Sequence, residues 1–145
     1  MVGRRGEGLR AKVYLQKIAF YDTRIESNRE RIKSYKDSAV NKTSNLSPNK
    51  VQSSSSMQKM ESAVVSYSDL ERIIKILEKH RQEIIDDICL LEPSESMVLY
   101  KEYVDKKDPW DIANEMSKSI SWVYKKHSSG VKNLQDILDK REKVG

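Results

Sequence analysis

From residue 9 onward, apolar side chains return at alternating intervals of four and three: Tyr14, Ile18, Tyr21, Ile25, then Asn28, then Ile32 and Tyr35. A helix turns once per ~3.6 residues, so this spacing predicts a helix over residues 9–36 with a heptad seam along one side. Asn28 interrupts the apolar run. A polar residue inside a seam sets register at some cost in stability. A second seam follows over residues 57–91, through Tyr67, Leu70, Ile74, Leu77, Arg81, Ile84, Ile88 and Leu91. Ile73, Ile76 and Ile85 widen it, which suits packing against more than one neighbour. Between the seams, residues 37–56 (DSAVNKTSNLSPNKVQSSSS) have no period and read as a flexible linker. Two seams joined this way predict an antiparallel hairpin. An intermolecular coiled coil is the alternative, and the two can coexist in a homodimer.

The pattern changes at Glu92-Pro93, where proline suits the first turn of a new helix. Met97, Val98, Tyr100 and Tyr103 follow at helical spacing, with the two tyrosines expected in the core or docked on the hairpin. Residues 104–107 break that helix. Asp108-Pro109-Trp110-Asp111 then combines a capping acid, proline at the first position and a first-turn acid. After a short break Ser119 caps a last helix from Ile120 to about Lys140. Gly130 inside it costs about 1 kcal/mol against alanine, which predicts a close packing contact there. Ile112, Met116 and Val123 would fill a small core, extended by Val131 and Leu134, with Ala113 allowing the helices to cross closely. Helix, short turn, helix is helix-turn-helix spacing. The expected fold is all-α: a long, coiled-coil-like helical hairpin over residues 9–91, then a helix-turn-helix domain over residues 92–140.

Charge sharpens this picture. The net charge is +5, yet no Asp or Glu stands between Glu115 and Asp136, while Lys118, Lys125, Lys126 and Lys132 all do. The window falls on the helix that such a motif places in a major groove, between two rows of phosphates that would repel an acid. Double-stranded DNA is therefore the expected partner. The candidate contacts are Lys118, Ser119, Ile120, Ser121, Trp122, Tyr124, Lys125, Lys126 and Ser128. Trp122 is expected to face DNA or to cover a helix junction, and His127 is expected at the surface or as a cap.

Other chemistry finds little support. His80 and His127 are isolated, and no metal-ligand spacing surrounds Cys89. The GRRGEG stretch lacks the Lys-Ser/Thr ending of a phosphate loop. Asp86 and Asp87 diverge by about 100° on a helix and are expected to be solvated. No enzyme, metal or cofactor is expected. Hydrophobic content is 37% and mean hydropathy −0.72, with no apolar run of membrane-spanning length. The N-terminus lacks the apolar core of a signal peptide. A cytoplasmic protein without a membrane partner is expected, with Cys89 a buried, inert thiol.

From Leu91 to Leu134 the chain resembles region four of sigma factors. Val98-Leu99, Tyr103, Ile112-Ala113, Ser119, Val123, Val131 and Leu134 stand in step with that family's pattern, and Gly130 stands where it usually has Ala. At the family's base-reading positions, usually Arg, Glu and Gln, the chain has Ile120, Ser121, Tyr124 and Lys125. The domain that melts promoter DNA is not found. Over roughly residues 10–138 the layout is similar to small phage and prophage regulators of Gram-positive hosts, the ArpU/RinA-type late regulators. The AKVYLQKIAFYDTRIESN, MQKMESAVVSYSDLERII and SISWVYKKH segments carry that likeness. The resemblance implies a DNA-binding activator of phage or mobile-element late genes, acting with host RNA polymerase. The alternative is a module that binds polymerase or a host factor without reading DNA.

Overall fold

The computed structural model describes residues 9–44 and 53–144, with side chains described over 10–38 and 67–143. The fold is all-α, and the described residues contain no strand. Helix α1 spans Leu9–Ser44, α2 Ser53–Ile88, α3 Pro93–Leu99, α4 Pro109–Met116 and α5 Ile120–Val144. None of these helices is long and apolar enough to cross a membrane.

Both long helices run past the limits set by their seams. Residues 37–44 and 53–56, expected in the linker, are helical. They hold neither Pro nor Gly, so nothing in the backbone forbids another turn. Residues 45–52 of the expected linker lie outside the described residues. Burial follows the seams. Ile18, Ile25 and Asn28 on α1, and Leu70, Ile74, Ile84 and Ile88 on α2, are buried, and Leu91 just beyond α2 is buried too. Ile73 and Ile76 are exposed, while Ile85 joins the core.

Contacts divide the chain into two compact units, residues 1–20 with 80–145 and residues 21–79. This division cuts both long helices. In the second unit, Arg29 Nη2 lies 2.7 Å from Glu78 Oε1, and Lys36 Nζ stands 5.0 Å from the Tyr67 ring centroid. Numbers rise on α1 as they fall on α2, which is the order of an antiparallel pair.

In the first unit, the opening turns of α1 are bonded to α5. Gln135 Oε1 accepts the Ala11 N–H at 2.8 Å, satisfying a donor that lies too near the helix start for an intrahelical partner. Ala11, Leu15 and Ile18 are fully buried. Asp87, expected to be solvated, is buried instead. Arg141 donates to both its carboxylate oxygens at 2.5 and 2.7 Å, and the Tyr14 hydroxyl donates to one of them. Burial pushes this carboxyl up, but the hydrogen bonds from Arg141 and Tyr14 outweigh it and hold Asp87 below the usual carboxylate range. Cys89 is exposed, not buried. It follows the last residue of α2, where the turn sends Ile88 and Leu91 inward and leaves Cys89 and Leu90 outside.

Helix α3 starts with Pro93 at its first position and runs into a π-helical turn, Tyr100–Val104. The Lys107 N–H closes that turn onto the Lys101 carbonyl at 2.9 Å. Tyr103 is half-buried, but Tyr100 is exposed and takes no part in the core. Tyr100 stands about 100° around the helix from Leu99 and about 200° from Val98, off the face that these two bury.

Candidate nucleic-acid interface

The connection from α4 to α5 is fixed at both ends by local hydrogen bonds. Ser117 closes α4 in the left-handed region at φ 54°, and the Lys118 N–H bonds back to the Ala113 carbonyl at 2.9 Å. Ser119 Oγ accepts the Trp122 N–H at 3.1 Å and so caps α5. At the start of α4, Asp108 accepts the Trp110 N–H, with Pro109 beside it. Between these fixed ends, Val98, Ile112, Ala113 and Val123 form a buried cluster, with Met116 and Trp122 packed on its edge.

Besides its bond to α1 at Gln135, helix α5 spends two of its sides on neighbours. One side meets α3. Lys126 Nζ stands 3.7 Å from Glu92 Oε1, and the Glu95 carboxylate accepts from the Ser129 hydroxyl and from Asn133 Nδ2 at 2.9 and 3.0 Å. Glu95 is only 1% exposed, so these bonds replace its water. Gly130 sits between them. A Cβ there would stand 3.1 Å from Leu99 Cδ1 and 3.3 Å from Glu95 Cβ. Both neighbours are pinned, Leu99 by complete burial and Glu95 by its bonds, so the crowding outweighs the gain in helix propensity. Gly130→Ala is expected to lower stability by about 1 kcal/mol rather than raise it, read as a lower urea midpoint with unchanged slope.

A second side meets the π turn. His127 stacks on Tyr103 with ring centroids 5.8 Å apart, and its Nε2 lies 3.0 Å from the Tyr103 hydroxyl and 3.1 Å from Glu102 Oε2. It is therefore a packed residue, not a surface or capping one. Burial holds its imidazole below the ordinary value, and Lys12 pushes the same way. Burial also raises Glu102, against the pull of Lys12, and raises Tyr103 to about 12. Uncharged forms are favoured throughout this cluster, so His127 adds no cation to the helix surface at neutral pH.

The remaining side is open. Ser121, Tyr124, Lys125 and Ser128 are exposed at positions i, i+3, i+4 and i+7, which places them on one face about 10 Å long. Lys118 stands exposed in the turn before this face, and Lys132 continues it one turn on. At its far end the face borders a groove of about 280 Å³, lined in part by Lys12, Ser128, Lys132, Asp136 and Asp139, and the two acids end the positive stretch.

Of the residues expected to contact DNA, Lys118, Ser119, Ser121, Tyr124, Lys125 and Ser128 are exposed, while Ile120, Trp122 and Lys126 are half-buried. Trp122 covers the helix junction. Its ring packs on the cluster, with Lys118 Nζ 5.4 Å and Lys126 Nζ 6.0 Å from its centroid. Lys126 is turned toward Glu92. Lys132 was missed, although it stands seven residues after Lys125 in the same acid-free window. Glu95 was missed as well, because a first-turn acid ordinarily signals only a favourable helix dipole.

Compared with known proteins, the chain matches no family model, no curated protein and no solved structure.

Proposed function

We propose that the chain is a sequence-specific DNA-binding transcription regulator whose helix-turn-helix, α4 and α5, lays α5 in the major groove. One observation carries this reading. Outside its contacts with α3, the π turn, the small cluster and α1, the exposed side of α5 from Ser121 to Lys132 carries lysines and hydroxyls and no acid. Such a face suits a groove bordered by phosphates. The resemblance to late regulators adds the finer assignment, an activator of phage or mobile-element late genes acting with host RNA polymerase. A single face of about three base pairs reads little sequence, so a homodimer on paired half-sites belongs to the same proposal.

The test is a salt titration of duplex binding. Lys118→Ala with Lys132→Ala is expected to weaken binding about 30-fold near 0.15 M salt, and to lower the slope of log affinity against log salt by about two. An unchanged slope would show that these lysines meet no phosphate.

A second reading has its own observation. Leu90 and Met97 are 65% and 48% exposed near the α2–α3 corner. They suit a module that binds polymerase or a host factor without specific DNA readout. That reading predicts co-purification with polymerase that survives Lys125→Ala and fails with Met97→Glu.

A further inference from the structure

Base recognition in a major groove depends on which donors and acceptors the helix has left to offer. Adenine is best read by the paired donor and acceptor of Asn or Gln, and guanine by the fork of Arg. Helix α5 presents none of these on its open face. Its two amide side chains are committed elsewhere: Asn133 Nδ2 donates to Glu95, and Gln135 bonds both the Ala11 N–H and Asp139. Its arginine, Arg141, is paired with Asp87. Ser121 and Ser128 carry hydroxyls that both donate and accept, so they accommodate any base edge. Between Ser121 and Ser128, on the first two turns of the face, two exposed side chains remain with a preference, Tyr124 and Lys125.

We propose that readout by α5, on the DNA-binding reading above, reduces to two chemical features of the groove: a pyrimidine 5-methyl group against the Tyr124 ring, and the N7/O6 edge of a guanine under the Lys125 ammonium. Tyr124 is 56% exposed and offers an apolar ring where the thymine methyl is the apolar group of the groove. Lys125 has donors and no acceptor. Guanine shows it two acceptors, whereas adenine N6 and cytosine N4 show it a donor. Adjacent residues on a helix diverge by about 100°, so the two side chains meet different bases. The face spans about 10 Å, which places both features within about three base pairs. Adenine goes unread, and the site tolerates exchange wherever the methyl and the guanine edge are kept.

The experiment selects binders from a pool of duplexes with a randomised centre, using the full chain. It then rebuilds the selected duplex with single-atom changes. Thymine→uracil removes only the methyl group, and guanine→7-deazaguanine removes only the N7 acceptor. Each is expected to weaken binding by about 5- to 10-fold at one position. Tyr124→Ala should abolish the uracil penalty and keep the deazaguanine penalty; Lys125→Ala should do the reverse. Both residues are exposed, and circular dichroism checks that the variants stay folded. Selection of a motif indifferent to both changes, or penalties that persist in the matching variants, overturns the readout while leaving DNA binding intact. Capture of no duplex at all overturns the DNA-binding reading itself, and this inference with it.

Discussion

Ile112→Ala is expected to lower the stability of the unit that joins the start of α1 to residues 80–145 by about 3 kcal/mol. Helix α4 is eight residues long and buries only Ile112 and Ala113. Ile112 therefore supplies nearly all the apolar anchorage of that helix. It is fully buried in the cluster with Val98 and Val123. The cavity left by alanine cannot close easily, because Ser117 and Asp108 fix both ends of α4 through backbone bonds. Removal of the side chain then costs its transfer energy and the cavity together. Urea denaturation of the full chain checks this. Ile112→Val, which leaves a smaller hole, should cost about 1 kcal/mol, and a similar loss for both variants would show that α4 collapses onto α5.

Asp87→Ala is expected to cost about 2–3 kcal/mol, near the low end for a broken buried pair. The carboxylate is 4% exposed and holds groups from two other helices, the Tyr14 hydroxyl and the Arg141 guanidinium. Arg141 is half exposed and regains water when its partner is lost. Tyr14 is more enclosed, and burial followed by its bond to Asp87 raises its hydroxyl well above the ordinary value. Its lost acceptor is the costlier part. The pH dependence follows from sign. The folded carboxyl titrates below its unfolded value of 3.8, so the folded state binds the proton less readily. Its contribution is complete above that value and disappears as pH falls through the folded pKa. Between about pH 4 and pH 2 the native chain should lose more stability than Asp87→Asn, measured as the gap between their urea midpoints. A constant gap across that range would show that the carboxylate is not ionised in the fold.

The long helices were legible because their apolar period is a local property. Ile18, Ile25, Leu70, Ile74, Ile84 and Ile88 are buried where the seams place them, and even Asn28 takes its seam position inside. The caps at Asp108 and Ser119 were legible for the same reason, since each acts within three residues. Asp87 was not. Its partners lie 73 and 54 residues away, and no local pattern distinguishes it from its solvated neighbour Asp86. Glu95 likewise meets Ser129 and Asn133 across more than thirty residues. The candidate site was legible by composition but not by direction. The acid-free window identified the helix, yet the side that faces water depends on where α3 and the π turn dock. That is why Trp122 and Lys126 turn away while Lys132 joins the face.

The bond from the Ala11 N–H to Gln135 spans 124 residues, nearly the whole chain. During synthesis the first turns of α1 leave the ribosome long before the side chain that completes them. At roughly 5–20 residues per second, that interval is on the order of ten seconds. Over that time Leu15 and Ile18 lack the α5 surface that the finished unit places beside this end of the helix. The open face of α5 is also assembled last, so a chain stalled before Gln135 would carry its lysines without the docking that aims them.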